Sequence, residues 1–295
     1  EKELFVVANN DVYALPYVVA DEIITSAAEF NAMLEERVIK NNALDPKYYA
    51  LTNDIQIADT KIITPSGRDH GNYTYEFKDT FDGRGHMISA NDSEKTIWNN
   101  GMFGNVTGGT VKNLIVKDIM VRYTSEIAGA IANTVQSGGV IENVLVINPI
   151  MRSQNGKGLS FGMLVGNIYG DSIIRNCLVI DLNSFNGTNP QKSSDGDYAE
   201  GKYVGSILFN GIAGIMGGSF NADNAIDNYC ITASENIFGA RSSASAGTDA
   251  MPGTVLSSMQ IFVETVGSKL QYYKLLNVEA NGDITVGGIK IYSAS

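Results

Sequence analysis

The chain has 295 residues, of which 44% are hydrophobic and 18% charged, with a formal net charge of −11 and a pI near 4.7. Such a composition supports a sizeable buried core, in one elongated domain or two compact ones, and excludes disorder as the default. The acidic balance and the lack of any basic run argue against nucleic acid and anionic lipid as partners, and no stretch of about 18 apolar residues is present to insert in a membrane.

Residues 1–47 are expected to form an N-terminal cap containing a helix over 26–40. Ser26 with Glu29 makes a capping box, and Phe30, Met33, Leu34 and Val38 share one helical stripe. A lid of this kind covers the unpaired strand edge at the end of a stacked sheet. The segment YYALTNDIQIAD then predicts the first strand, with Asn53-Asp54 as a turn or bulge.

Only two histidines occur, His70 and His86, and there is no H-E-x-x-H. A zinc site or a Ser/His/Asp triad would have to recruit one of them, so neither a metal nor a cofactor is expected. His86 belongs to TFDGRGHMIS, Thr80 to Ser89, which gathers Asp82, Arg84 and His86 in a glycine turn. The residues predict a structural corner: Gly83 and Gly85 permit positive φ, Asp82 bonds the turn's own amides, and Arg84 is solvated. No catalytic residue is assigned there. Trp98, the single tryptophan, reads as a core or rim aromatic.

A phrase then recurs: VKNLIV, IENVLV, IRNCLV and IDNYCI. Its asparagines, Asn113, Asn143, Asn176 and Asn228, lie 30, 33 and 52 residues apart, the last interval carrying an insertion. Glycine-punctuated apolar segments precede each phrase, and no amphipathic helix intervenes, so βαβ units are excluded. Strands apolar at consecutive positions suit a parallel sheet covered on both faces. A period of about 30 residues holds roughly three strands of about five residues plus turns, one coil of a parallel β-helix. Asparagine tolerates the left-handed backbone of a sharp corner, and its amide can bond to the next one in a stacked Asn ladder.

Residues 48–238 are therefore expected to form the β-helix, 239–253 a linker or loop, and 254–295 a C-terminal β cap or the start of an appended β unit, with ANGD as a hairpin signal. Cys177 and Cys230 fit no metal or C-x-x-C spacing and read as small buried hydrophobes.

The ordered set Tyr49 to Ile55, Phe81-Asp82-Gly83, Gly85-His86, Ile88, Gly101-Met102-Phe103-Gly104 and Asn113-Leu114 resembles a known group. It is similar to right-handed parallel β-helix bacterial surface proteins with GLUG-type repeats, including the N-terminal region of IgA-specific metallopeptidases and gut-bacterial adhesin-like proteins. The resemblance covers Tyr48 to Ile231. It implies an all-β, right-handed single-stranded solenoid that serves as a non-catalytic stalk or ligand-presenting module, extracellular or at the bacterial surface, any signal peptide or anchor lying outside this segment. The peptidase chemistry of the IgA group resides in a separate zinc domain.

The expected function is an adhesin-like module that binds host or environmental glycan or protein through loops on a rigid solenoid. The longest loop offers Phe185, Tyr198 and Tyr203 as sugar-stacking rings and Asp195 and Asp197 as polar partners. Two alternatives stay open. A polysaccharide lyase or glycoside hydrolase would use Asp118 and Asp181, which fall at matching repeat positions around Asn148. A phage tail-spike or fibre would be a trimer, whereas a monomer is expected otherwise.

Overall fold

The computed structural model describes residues 2–8, 11–17, 19–40, 45–57, 76–91, 97–99, 101–123, 127–153, 160–185, 192–193, 208–210, 212–216, 220–233, 241–242 and 253–294. The protein is a parallel β-solenoid. Its long face stacks Glu22–Ile24, Tyr48–Leu51, Thr80–Asp82, Thr110–Lys117, Val140–Ile147, Leu178–Ile180, Tyr229–Ile231 and Thr254–Leu256 in that order. Every neighbouring pair is parallel, as in Val111↔Ile141, Val146↔Val179 and Val179↔Cys230.

The intervening segments build the other faces. A second face stacks Glu76–Phe77, Asn105–Thr107, Ala132–Gln136, Val165–Ile168, Ala213–Met216 and Arg241–Ser242. A third holds Ile97–Asn99, Met120–Tyr123, Ile150–Ser153 and Lys192–Ser193, and a fourth Ile127–Gly129, Ser160–Gly162 and Leu208–Asn210. Each circuit of chain supplies the partner of the previous one, so parallel pairing needs no crossover helix.

The consecutive apolar residues of the repeat phrase are accounted for by burial on both sides. Val111, Leu114 and Val116, with Ile141, Val144 and Val146 a rung away, line the interior beside Phe81 and Phe103. Ile115, Leu145, Ile147, Leu178, Ile180 and Ile231 face outward and are buried against Phe262, Val266, Tyr273, Ile284, Val286 and Ile291. These last belong to a C-terminal unit: helix Met259–Val266, capped by Ser258, a 3-10 segment Gly267–Tyr272, and antiparallel strands Asn277–Val278, Ile284–Val286 and Ile289–Tyr292.

That arrangement departs from the expected domain boundaries. Residues 254–295, expected as a C-terminal β cap or the start of an appended β unit, lie mostly along the flank of the long face, where they cover an outer surface too apolar to face water. Thr254–Leu256 is itself a rung on Tyr229–Ile231, and Arg241–Ser242 a rung on Ile215–Met216, so the solenoid runs past 238. It also begins before 48, because Glu22–Ile24 pairs with Tyr49–Leu51. Lys2–Ala8 and Asp11–Tyr17 form an antiparallel hairpin.

The capping helix spans Ala27–Leu34 and continues as a π-helical turn over Glu35–Ile39. Its capping box is complete, and Phe30, Met33, Leu34 and Val38 are all buried in the solenoid core. Phe30 meets Phe81 edge-on at 5.5 Å. Arg37 ties the helix down through a buried ion pair, donating from Nε and a terminal nitrogen to Asp79 at 2.7 and 2.6 Å.

Candidate functional site

At the TFDGRGHMIS turn the Asp82 carboxylate accepts from the Tyr48 hydroxyl at 2.5 Å, the Arg84 backbone at 2.9 Å and the Asn113 side-chain amide at 2.9 Å. Burial and this neighbouring carboxylate push the Tyr48 phenol well above its ordinary pKa. Arg84 is exposed, and His86 Nδ1 faces Asp54 at 3.2 Å. Asp82 and His86 thus meet different partners, and the exposed Arg84 side chain joins neither.

Of the two glycines, Gly85 takes the expected positive φ (85°) and Gly83 does not; the other positive φ of the turn falls on Arg84 (51°). Gly83 is required by close approach: a Cβ there would lie 2.5 Å from the Asn113 carbonyl oxygen and 2.7 Å from Leu114 Cα, both backbone atoms of the next rung.

Asn113, Asn143 and Asn176 take φ of 53°, 51° and 52° at equivalent corners. Asn143 Nδ2 donates to Asn113 Oδ1 at 2.8 Å, and Asn113 Nδ2 passes the column on to Asp82. The fourth corner corrects the sequence alignment. Leu178 pairs with Tyr229, so Asp227, with φ 52°, stands above Asn176. Asn228 lies one residue further on and is buried, donating to the Ile174 carbonyl at 2.7 Å and accepting from the Cys177 backbone at 3.1 Å.

A second column ends the same strands, with Asn148 Nδ2 donating to Asp118 Oδ1 at 3.0 Å. Asp181 follows two rungs from Asp118, a separation of about 10 Å. It is fully buried, accepting from Thr232 Oγ1 at 3.0 Å and, as the cap of the short helix Leu182–Phe185, from the Ser184 backbone at 3.3 Å. Desolvation raises its pKa. A carboxyl so enclosed is out of reach of a glycosidic oxygen.

Phe185, which is 43% exposed, ends that short helix. Asp195, Asp197, Tyr198 and Tyr203 lie outside the described residues.

The second face carries a polar array that the loop-centred expectation passed over. Asn105-Val106-Thr107, Thr134-Val135-Gln136 and Asn167-Ile168-Tyr169 repeat one pattern on successive rungs, each central residue buried in the core. Strand alternation places the flanking residues on the outer side. Gln136 Nε2 donates to Thr107 Oγ1 at 3.3 Å, Asn133 Nδ2 to Asn105 Oδ1 at 3.1 Å, and Asn167 Nδ2 to the Tyr169 hydroxyl at 3.1 Å. Tyr169 is 36% exposed, and Asn133 Oδ1 and Asn167 Oδ1 are buried without a hydrogen-bond partner. Each of those atoms can take a bridging water. The polar-apolar-polar triplet recurring upstream of the repeat phrase is the sequence signal that marks this face.

The fold and this face define a parallel β-solenoid with an outer array of amides, hydroxyls and the Tyr169 ring, bordered on the preceding rung by Glu76 and its ion pair with Lys78. No family model and no curated protein matches the chain. It is similar to a solved structure described as a "putative immunoglobulin A1 protease from Bacteroides ovatus", at 16% identity and a TM-score of 0.44 over 90% of this chain and 92% of that one. A likeness of that degree carries no functional argument.

Proposed function

We propose that the chain is a non-catalytic, adhesin-like glycan-binding module of a secreted or bacterial surface protein of the kind with GLUG-type repeats. The observation that carries the reading is the stack of Thr107, Gln136 and Tyr169 on one face of the solenoid. Successive rungs hold these groups about 4.8 Å apart on a backbone that does not adjust. Amide and hydroxyl groups exchange hydrogen bonds with sugar hydroxyls, directly or through water, while an exposed ring covers the apolar face of a pyranose.

A glycan array probed with the purified chain tests this. Binding is expected, with Tyr169→Ala weakening it by roughly tenfold, equivalent to about 1.4 kcal/mol, while the chain stays folded with a melting temperature lowered only by the loss of the Asn167 bond. An array without signal, or binding indifferent to both Tyr169→Ala and Gln136→Ala, overturns the proposal.

A further inference from the structure

The polar groups of the second face that water reaches stand in single file. Lys78, Thr107, Gln136 and Tyr169 take equivalent places on successive rungs: Thr107 pairs with Gln136, Lys78 follows Phe77 as Thr107 follows Val106, and the Tyr169 backbone donates to the Val135 carbonyl at 3.0 Å. The Lys78 side chain is 42% exposed and Tyr169 36%, with Thr107 and Gln136 half-buried between them. The column beside the file is closed, with Thr134 only 8% exposed and Asn167 5%. On the other side the chain turns away at Gly108, Gly138 and Gly170, so no side chain at those positions walls the file in. A Cβ at Gly170 would meet no atom within 4 Å.

Hydrogen-bonding capacity remains along this line. Gln136 uses one N–H on Thr107, which leaves its second N–H and its carbonyl oxygen; Thr107 and Tyr169 each accept a bond and keep a hydroxyl proton to donate. Charge narrows what can be bound. The one cation of the file, Lys78, is paired with Glu76 at 2.5 Å, and the exposed Asp171 stands at the corner, accepting from the Gly138 backbone at 2.7 Å. In a chain of net charge −11 such a surface repels polyanions and tolerates neutral chains.

We propose that the file is the binding site of a linear, neutral, extended polysaccharide lying parallel to the solenoid axis, with one sugar residue to each rung. Rungs lie about 4.8 Å apart, and each pyranose of a fully extended chain advances by close to that distance. A hydroxyl pattern that repeats along the polymer therefore meets a side-chain pattern that repeats along the solenoid. A coiled glycan loses that register after one or two residues. A chain laid across the axis instead meets one accessible polar residue and then the closed column. From Lys78 to Tyr169 the file spans roughly 14 Å, with the Tyr169 ring at one end to cover a pyranose face. The site deepens the glycan-binding reading and rests on it.

The test titrates the full chain with cello-, manno- and xylo-oligosaccharides from the monosaccharide to the hexasaccharide, with malto-oligosaccharides, whose linkage coils the chain, and with polygalacturonate. At least one of the three extended series should bind, its affinity rising by at least about tenfold from monosaccharide to tetrasaccharide. Maltotetraose and polygalacturonate should bind at least about tenfold more weakly than that tetrasaccharide. Gln136→Ala should weaken the tetrasaccharide more than the monosaccharide, whereas Tyr169→Ala should weaken both, each variant being checked for folding by its melting curve. The length series on the wild type needs no variant to fold.

A monosaccharide bound as tightly as the tetrasaccharide, maltotetraose bound as tightly as its extended counterpart, or polygalacturonate preferred to the neutral chains overturns the proposal and leaves the glycan-binding reading standing. Silence of all three extended series beside a glycan array with signal does the same. Absence of all glycan binding overturns both.

Discussion

Arg37 grips Asp79 with two hydrogen bonds where both side chains are almost wholly excluded from solvent. Asp79 also accepts from the Lys47 backbone, so one carboxylate joins the capping helix to the chain entering the next rung. Asp79→Ala removes the carboxylate that balances the buried guanidinium, which keeps the Asp45 carbonyl at 2.8 Å. The expected loss is about 3–5 kcal/mol, read by urea denaturation. Arg37→Met/Asp79→Leu should recover much of it; a double variant as unstable as the single would refute the account.

At Asn143 the side chain supplies a bond to Asn113 and the backbone sits at φ 51°. Asn143→Ala loses both the bond and the tolerance for that conformation, together roughly 2–3 kcal/mol. Asn143→Gly keeps the conformation and should cost clearly less. Equal destabilisation by Ala and Gly in denaturation midpoints would show that the corner conformation does not matter.

Gly83 and Gly170 separate two reasons for glycine. A Cβ at Gly83 meets backbone of the adjacent rung at 2.5 Å, whereas at Gly170, with φ 60°, it meets nothing within 4 Å. Gly170→Ala should therefore cost about 1–2 kcal/mol, and Gly83→Ala considerably more. Melting temperatures that rank the two the other way would contradict the close approach.

Burial raises the Asp181 pKa above its unfolded value. The folded state then holds its proton more tightly, so the stability from this group is fully present below the unfolded value of about 3.9 and is lost as pH rises through the folded pKa. The stability of Asp181→Asn relative to wild type should accordingly increase between about pH 4 and 7. A difference constant with pH would refute it.

Cys177 and Cys230 are fully buried, and desolvation pushes the Cys177 thiol up to about 12. A thiol-reactive dye at pH near 8, close to the ordinary thiol pKa, should leave both unlabelled in the native protein and label both after denaturation. Rapid native labelling would place them elsewhere than the core.

Much of this architecture is legible in the chain because it depends on local chemistry that repeats. The Ser26 and Glu29 capping box and the left-handed corners at Asn113, Asn143 and Asn176 act through the backbone of their own turn, and the Phe30 stripe is a spacing within one helix. The slip at the fourth corner has a physical cause. Asp tolerates the left-handed conformation as Asn does, so Asp227 fills the corner while the adjacent Asn228 turns inward to bond Ile174 and Cys177. Matching letters favoured the wrong neighbour. At Gly83 the constraint was legible but its origin was not, since the atoms that exclude a Cβ come from a strand about 30 residues later.

By itself, then, the sequence determined that short parallel strands stack with a period near 30 residues, that both sides of the long face are apolar, and that asparagine-type corners join them. These follow from side-chain patterning and backbone preference, which act over a few residues. The tertiary structure alone decided that the C-terminal unit lies along the flank and that Thr107, Gln136 and Tyr169 stand in one column. Those facts depend on register between rungs separated by tens of residues, and register is set by which circuits pack against which.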